Sequence, residues 1–318
     1  MLRYIGFEEA RLLTVSSFAY GGLLFLLSSG FSLIFGLMRI PNLMHGSFFM
    51  LGAYLGVSLL EKGLTTDALK SIPEIGSAFD FLPSMTLIPP NFFLIAIVSG
   101  IFVAIIGAVV ERYLLRRLNG QELPQVLLTL GLSFVIADIC LMIWTGDPWQ
   151  PATPPELRGV VQLGTLFFPL YRLVIIGVAV VIAIALWLMV DWTRLGAMIR
   201  AGVDDAPIAR VVGIKVSQLF TLVFALGAGL AAFGGVVGAP YLSVYPGLDA
   251  DMLPLALIVV ILGGTGSLLG ALVGSFIIGF LYNFGQAMVP DLSYVILFLP
   301  MLLVLVLRPQ GLFGRALT

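Results

Sequence analysis

Charge, cysteine and histidine are all scarce in this 318-residue chain. Only 10% of the residues are charged, against 60% that are hydrophobic, whereas soluble domains are close to 25% charged. So few charges cannot cover the surface of a soluble body of this size, but a protein whose solvent is lipid can have an apolar exterior. The composition therefore predicts an integral membrane protein.

The scarce residue types also exclude several kinds of site. A lone cysteine, Cys140, cannot form an intrachain disulfide or a cysteine-based metal site, and a lone histidine, His45, excludes a multi-histidine centre. The formal net charge of −1 provides no basic excess for nucleic acid. No G-x-x-x-x-G-K-[ST] phosphate loop occurs, so any ATP hydrolysis must take place on another chain. We expect no cofactor.

Long uncharged stretches predict membrane-spanning helices, each of which needs about 20 apolar residues. We predict an all-α polytopic transmembrane bundle of about eight spans, in a single domain over residues 1–318. Two polar, proline-containing stretches, 64–90 and 146–169, are predicted to be loops. The spans are predicted at 12–38, 40–60, 91–115, 125–145, 170–190, 218–239, 267–289 and 292–307.

The stretch from Met252 to Pro290 carries no charge and is too long for a single crossing. The glycine cluster at 263–266 predicts a turn inside it, so we expect a short or broken helix over Leu253–Leu262. Short segments at membrane depth are tolerated where protein buries them or where they line a wet cavity. We therefore expect this region to lie close to a pathway.

The distribution of basic residues orients the chain by the positive-inside rule. The rule favours an external N-terminus and a cytoplasmic C-terminus, because most of the basic residues then lie inside. Those placed inside are Arg39, Arg112, Arg116, Arg117, Arg194, Arg200, Arg210, Lys215, Arg308 and Arg315.

The most charged stretch between two spans, 191–217, is predicted to be cytoplasmic and to contain a helix of about two turns. Asp204 or Asp205 can cap its N-terminus, Pro207 suits the first turn, and Arg210 suits the last turn. Gly213 suits the position just past the C-terminus. This helix is either an amphipathic connector or a docking element for another protein. Its small and apolar residues are Ala206, Ala209, Val212 and Ile214.

Asp138 is the only charged residue well inside a predicted span. Charge in the bilayer is costly, so such a residue usually faces other helices or water and has a role. Asp138 either lines or gates a route through the bundle, or it is a hydrogen-bonded packing residue. The candidate partners for its carboxyl group are Thr129, Ser133 and Asn283.

Asn42, His45 and Gly46 lie in the turn between the first two predicted spans. One interpretation is a capping cluster that shapes this turn through hydrogen bonds. The other is a re-entrant bend beside the pathway. The sequence leaves both open.

Five separated motifs are specific enough to compare with known proteins. The first three are N-L-M-H-G-S-F-F-M-L-G-A-Y beginning at Asn42, E-R at Glu111 with Arg116 after it, and T-L-G-L-S beginning at Thr129. The fourth is R-A-G-V-D-D beginning at Arg200, followed by Ala209, Gly213 and Ile214. The fifth is G-G-T-G-S beginning at Gly263 together with the tail L-R-P-Q-G-L-F-G beginning at Leu307. Together they resemble the permease subunits of branched-chain amino acid ABC transporters, the LivH type, over most of the chain. The polar loop at 62–90 is longer than in the compact members of that family.

The resemblance implies an ATP-driven importer of branched-chain or other amino acids, or of small amides or urea, in the inner membrane. Two permease subunits, the second being a copy or a homologous chain, would form the pathway within the lipid. Two cytosolic ATPase subunits would drive it, and a periplasmic binding protein would deliver the solute. The chain itself would not be an enzyme.

The resemblance also implies roles for particular residues. The helix in 191–217 would be the coupling helix that contacts an ATPase subunit. Apart from the resemblance, the turn around residue 45 and the fourth span are expected beside the pathway on the interpretations of His45 and Asp138 given above. The coupling residues are expected to be Arg200, Asp204, Asp205, Ala209, Arg210, Gly213 and Ile214. The pathway or gating residues are expected to be Asn42, His45, Gly46, Thr129, Gly131 and Asp138.

Two other classes of function compete with the importer. An ion- or proton-coupled secondary transporter needs several paired ionisable residues at mid-membrane, and Asp138 alone is a poor basis for it. An intramembrane enzyme needs two placed acid–base groups or a metal. Asp249 and Asp251, an acidic pair expected outside the membrane, are the nearest candidates and otherwise mark the mouth of the pathway.

Overall fold

The computed structural model describes residues 6–38, 42–62, 64–65, 86–88, 91–163 and 166–314. Within them the chain forms a bundle of eleven α-helices. Two antiparallel strand pairs lie in the connections, β1 (Leu64–Thr65) with β2 (Thr86–Ile88) and β3 (Val160–Leu163) with β4 (Leu166–Pro169). The helices are α1 (Phe7–Met38), α2 (His45–Lys62), α3 (Phe92–Tyr113), α4 (Glu122–Trp144), α5 (Leu170–Trp192), α6 (Arg194–Asp204), α7 (Ala206–Val211), α8 (Val216–Leu242), α9 (Leu248–Gly263), α10 (Leu268–Met288) and α11 (Ser293–Leu307).

Seven described helices, α1, α3, α4, α5, α8, α10 and α11, are long and apolar enough to cross a membrane. The predicted all-α transmembrane bundle is confirmed, and the predicted number of eight spans was approximate. The predicted span at 40–60 corresponds to α2, which has 18 residues and ends in Glu61 and Lys62. Most side chains of α2 are buried by the other helices, so its apolar surface contacts protein rather than lipid.

α8 lies at the centre of the bundle, where it packs against α1, α2 and α3. Glycines let the backbones touch. A methyl group at Gly30 in α1 would lie 2.6 Å from the carbonyl oxygen of Gly227 in α8, and one at Gly229 in α8 would lie 3.0 Å from that of Gly100 in α3. Lipid gives helices no hydrophobic drive to associate, so close van der Waals contact at small residues stabilises the bundle.

α2 begins inside the bundle and not at its end. The Nε2 atom of His45, the first residue of α2, lies 2.9 Å from the carbonyl oxygen of Leu27 in α1. Leu27 lies about three turns, or about 16 Å, before Met38 at the end of α1. His45 therefore lies inside the bundle, about three turns from the end of α1, and α2 covers only part of the bundle's depth.

α9 confirms the short helix predicted before the glycine turn. It has 16 residues and begins at Leu248, earlier than predicted. Its first turn lies against α2, because a methyl group at Gly46 would be 2.6 Å from the carbonyl oxygen of Asp249. Gly264 and Gly266 form the predicted turn with φ of +102° and +77°, a backbone conformation that glycine adopts without steric cost.

The bundle has one end that is rich in arginine, which we call the basic end. Met38, Arg116 and Arg210 line a common crevice there, and Gly36 near the end of α1 touches Gly266 in the glycine turn. Trp149 and Val244 pair at the opposite end, with N···O distances of 2.7 and 2.8 Å. The basic residues predicted to be cytoplasmic lie at the basic end, except that Arg39 and Arg315 fall outside the described residues.

The glycine contacts predict a position-specific effect on stability. Replacing Gly30 by Ala should destabilise the protein by about 1–3 kcal/mol, because the new methyl group overpacks the contact with Gly227. Gly177 in α5 is a matched control, because a methyl group added there would have no atom within 4 Å and alanine removes the helix penalty of glycine. Thermal unfolding in detergent should show a lower Tm for Gly30→Ala and an equal or higher Tm for Gly177→Ala. Equal losses in both variants would contradict the packing account.

Candidate translocation pathway and coupling segment

The polar side chains of α4 lie on two opposite sides of the helix, one buried and one exposed. Thr129 and Ser133 are buried and lie on the face that contacts α2. The hydroxyl of Thr129 accepts a hydrogen bond from the backbone N–H of Leu43 (3.3 Å), and the carbonyl oxygen of Ser133 lies 3.5 Å from the hydroxyl of Ser47. This face of α4 therefore fixes the re-entrant stretch that leads into α2.

Asp138 and Gly131 lie on the other face of α4, and both are exposed. The hydroxyl partners considered for Asp138 do not reach it, because Thr129 and Ser133 point to the opposite side of the helix. The side chain of Asn283 donates to the carbonyl oxygen of Gly279. Among the described residues, Asp138 has no hydrogen-bond partner, so its carboxylate faces the surroundings of the single chain.

Three helices meet at Ser47, in the first turn of α2. Its hydroxyl donates to Oδ2 of Asp249 at 2.9 Å, while Ser133 of α4 lies on its other side. Asp249, in the first turn of α9, is therefore half-buried against α2, and its place at the mouth of a pathway stays a prediction. Ser47 was not among the predicted site residues. The only sequence signal for its contact with Asp249 was the position of Asp249 just before the long uncharged stretch.

Asn42, His45 and Gly46 are buried in the bend before α2. The side-chain oxygen of Asn42 accepts from the backbone N–H of Met44 at 3.2 Å, and the ring of His45 is held against the carbonyl oxygen of Leu27. Gly46 leaves room for the backbone of Asp249. Asn42 and His45 thus form hydrogen bonds that shape a bend inside the bundle, and the position of this bend beside a pathway stays a prediction.

The segment between α5 and α8 forms two helices. Asp204 ends α6, and Asp205 is the N-cap of α7, where its side chain accepts from the backbone N–H of Ile208 at 2.9 Å. At the other end Gly213 has a φ of +90°, and the N–H of Ile214 bonds the carbonyl oxygen of Ala209 at 3.0 Å. This Schellman-type ending satisfies the last carbonyls of α7, so the predicted two-turn helix is present.

Arg200 lies in α6 and not in α7. Its guanidinium is 3.5 Å from the carboxylate of Asp191 and also contacts the carbonyl oxygen of Val190. Arg200 therefore holds α6 against the end of α5. A direct contact of Arg200 with an ATPase subunit stays a prediction.

The exposed apolar surface of α7 differs from the predicted one. Ala209 is only 2% exposed and packs inside the chain, whereas Ile208, Val211 and Val212 are 62%, 86% and 69% exposed. Solvent exposure of three branched apolar side chains on so short a helix is unfavourable without a partner. A contact through this helix would therefore fall on these three residues, which we call the α7 apolar face.

A crevice at the basic end connects α7 with the beginning of α2. Its outer part is lined by Glu111, Arg116 and Arg210, and its inner part by Asn42 and Thr129. The two parts share the residues Met38, Leu115 and Gln125. The residues that line the crevice thus extend from α7 to the bend before α2.

Buried Glu111 and partly exposed Arg116 form a clasp in the wall of this crevice. The guanidinium of Arg116 lies 3.2 Å from the Glu111 carboxylate and donates to the carbonyl oxygen of Ser217 at 2.8 Å. Thr221 of α8 donates to the same carboxylate at 2.5 Å. The clasp joins α3 to α8 beside the coupling segment. The sequence marked Glu111 and Arg116 only as part of a motif, because their partners in α8 are distant in the chain.

No group of three or more metal-binding side chains occurs among the described residues. The arrangement provides packing surfaces, hydrogen bonds and a re-entrant bend, which suit a conformational pathway better than acid–base chemistry.

Comparison with known proteins adds an independent line of observation. A family model described as "Branched-chain amino acid transport system / permease component" matches residues 13–305. The chain is 27% identical over 309 residues to the high-affinity branched-chain amino acid transport system permease protein BraD of Pseudomonas aeruginosa, covering 95% of this chain and 94% of BraD. It is 25% identical over 304 residues to LivH of Escherichia coli strain K12, a permease protein of the same description, covering 91% of each chain.

A relative that matches a shorter part of the chain has a different described role. The autoinducer 2 import system permease protein LsrC of Enterobacter sp. strain 638 is 30% identical over 191 residues, which cover 56% of this chain and 53% of LsrC. No solved structure matches the chain.

The contact between α4 and the re-entrant bend predicts the effect of a hydroxyl deletion. Thr129→Val should destabilise the protein by about 1–3 kcal/mol, because the N–H of Leu43 loses its acceptor. Ser133→Ala is the matched control, because the hydroxyl of Ser133 bonds only within its own helix, to Leu130. Unfolding in detergent should show a lower Tm for Thr129→Val alone. A loss confined to Ser133→Ala would contradict the assigned contact.

Proposed function

Because the chain belongs to the family of permease components of branched-chain amino acid transport systems, we propose that it forms the membrane pathway of an ATP-driven importer. The family match over residues 13–305 is the observation that carries this proposal. As a permease component the chain is a translocating subunit of an ABC transporter, and the seven long apolar helices agree with a multi-pass membrane protein. A place in the inner membrane would agree with its relatives being permease proteins, and the distribution of basic residues supports a cytoplasmic C-terminus.

The energy for transport would come from separate subunits. The chain carries no phosphate loop, so two cytosolic ATPase subunits would hydrolyse ATP. The α7 apolar face supports a contact with one of them, because Ile208, Val211 and Val212 are exposed on a short helix at the basic end. Asp205 and Gly213 would define the two ends of this coupling helix, and Ala209 would anchor it to the rest of the chain.

The crevice at the basic end offers a route for coupling. When an ATPase subunit moves α7, Arg210 would transmit the movement to the wall formed by Glu111 and Arg116. The inner part of the crevice reaches Asn42 and Thr129, which hold the bend before α2. A shift of that bend would change the junction of His45, Gly46 and Asp249 inside the bundle. The pathway would open and close by alternating access.

The solute is proposed from the relatives and not from a site in this chain. The names of BraD and LivH favour branched-chain amino acids, and other amino acids, small amides or urea fit the same architecture. A periplasmic binding protein would select and deliver the solute. A second permease subunit, a copy or a homologue, would complete the pathway, with Gly131 and Asp138 on the face of α4 that is left open in the single chain.

The proposed contact with the ATPase predicts a loss of coupling. Val211→Glu should abolish co-purification of the ATPase subunit and lower ATP-dependent uptake by on the order of tenfold or more, because a carboxylate cannot be buried unpaired in an apolar contact. Tyr113→Glu is the control, because Tyr113 is 55% exposed at the same end of the bundle but lies in α3. Normal ATPase binding and uptake by Val211→Glu at wild-type expression would overturn the assignment of α7.

The proposed role of Asp138 predicts a charge effect on transport. Asp138→Asn should lower solute uptake by on the order of tenfold, equivalent to about 1.4 kcal/mol, because the proposed pathway would lose the charge that lines it. Asp147→Asn is the control, since Asp147 is an exposed carboxylate just beyond α4. Uptake of radiolabelled solute into membrane vesicles measures both. Unchanged uptake by Asp138→Asn would remove this residue from the mechanism.

A further inference from the structure

The crevice at the basic end contains several buried polar atoms without a partner in the described part of the chain. These atoms are the amide nitrogen Nδ2 of Asn42, the amide oxygen Oε1 of Gln125 and Nε of Arg116. Arg116 lines the outer part of the crevice, Asn42 lines the inner part, and Gln125 lines both. A buried polar atom that forms no hydrogen bond is unfavourable, so the crevice needs a polar occupant.

The other hydrogen bonds of the two amides fix which of their atoms face the crevice. Oδ1 of Asn42 accepts from the backbone N–H of Met44 at 3.2 Å, so the atom that remains is a donor. Nε2 of Gln125 donates to the carbonyl oxygen of Leu118 at 2.7 Å, so the atom that remains is an acceptor. The occupant must therefore accept from Asn42 and donate to Gln125. A bare metal cation cannot accept a hydrogen bond, and a halide ion cannot donate one.

The space in the crevice has the size of a few water molecules. The volume open to the centre of a water molecule is about 30 Å³ in the outer part and about 10 Å³ in the inner part. A buried water needs about 10–15 Å³ of such space and two to four polar partners. The outer part therefore takes about two waters and the inner part about one, whereas a whole amino acid does not fit in this conformation.

The crevice leads from the solvent at the basic end into the buried interior. Asn119, Arg210 and Ser217 line its outer part and are exposed. Ile34 and Phe224 line its inner part, and each is only 1% exposed. Water that enters at the basic end thus has a polar-lined course to the bend before α2.

We propose that the crevice is a binding site for a short chain of water molecules that joins Arg116 to the bend before α2. The inner water accepts from Nδ2 of Asn42 and donates to Oε1 of Gln125. The outer waters accept from Nε of Arg116 and continue to the solvent at the basic end. These bonds satisfy all three unpaired atoms, and the site does not depend on the proposed importer function.

Water at this place gives the bend before α2 a connection that can be remade. A direct hydrogen bond between the bend and Gln125 would break when either partner shifts, and both atoms would then be left unpaired. A bridging water is enthalpically almost as favourable as a direct bond and can change its position and partners. In the proposed transport cycle, the bend would therefore move without leaving the amide group of Asn42 unsatisfied.

Radiolytic labelling detects bound water inside the protein directly. The full chain in lipid nanodiscs is irradiated in water that carries a heavy oxygen isotope, and mass spectrometry locates the incorporated oxygen. Phe224 should be labelled several times faster than Phe25, because both are 1% exposed but only Phe224 lines the crevice. Equal labelling of the two phenylalanines would overturn the water site, and this comparison needs no substitution.

Two substitutions of Gln125 test its role as the acceptor. Gln125→Met and Gln125→Glu both remove the amide donor to Leu118, but only the glutamate variant keeps an oxygen that can accept from water. Labelling of Phe224 should fall to the rate of Phe25 in Gln125→Met and should persist in Gln125→Glu. Undiminished labelling in Gln125→Met would overturn Gln125 as a partner of the water.

A double-mutant comparison tests the bridge between the two amides. Asn42→Leu and Gln125→Met should each lower the Tm in detergent, and the double variant should lose less than the sum, because both changes break the same bridge. Ser99→Ala combined with Asn42→Leu is the control, since the buried hydroxyl of Ser99 also has no described partner but does not line the crevice. Additive losses in both pairs would contradict the bridge.

These measurements separate the water site from the importer function, because labelling and unfolding need neither an ATPase subunit nor a solute. If Phe224 is labelled no faster than Phe25 while ATP-dependent uptake is found, the water site is wrong and the proposed function stands. If Phe224 is labelled as expected but uptake does not depend on ATP, the water site stands and the proposed function fails.

Discussion

Direct backbone contact between α8 and the three helices around it is the constraint on which the rest of this structure depends. Gly227 and Gly229 bring α8 against α1 and α3 at distances that leave no room for side chains. In lipid the apolar exterior gives no reason for helices to associate, so this close contact must stabilise the bundle. It also creates the protein-filled interior in which a polar bend is buried.

The bend before α2 is possible only inside such a bundle. A backbone that turns at membrane depth exposes N–H and C=O groups that lipid cannot satisfy. Here Thr129 accepts from the N–H of Leu43, Asn42 accepts from the N–H of Met44, and Ser47 joins α2 to Asp249 of α9. Two short helices therefore begin close together within the bundle, and a crevice connects the bend before α2 with α7 at the basic end. Packing and hydrogen bonds thus form one connected arrangement, on which the proposed coupling would act.

Local features were predictable from the sequence, and relations between distant segments were not. The N-cap Asp205, the positive φ of Gly213 and the glycine turn after α9 follow from preferences within a few residues. The junction of Ser47 with Asp249 joins residues that are 202 positions apart, and no local pattern encodes that distance. Asp138 was found by its charge, but the side of α4 on which it lies depends on where α2 packs. For the same reason, Ala209 proved to be buried while its neighbours form the exposed face of α7.

The source of energy for transport is the most direct test of this account. Proteoliposomes that contain the permease, its ATPase subunit and its binding protein should accumulate labelled branched-chain amino acid only when ATP is supplied on the ATPase side, and should show no uptake with ion or proton gradients alone. Gradient-driven uptake by the permease without ATP and without the ATPase subunit would contradict the account and would identify an ion-coupled transporter instead.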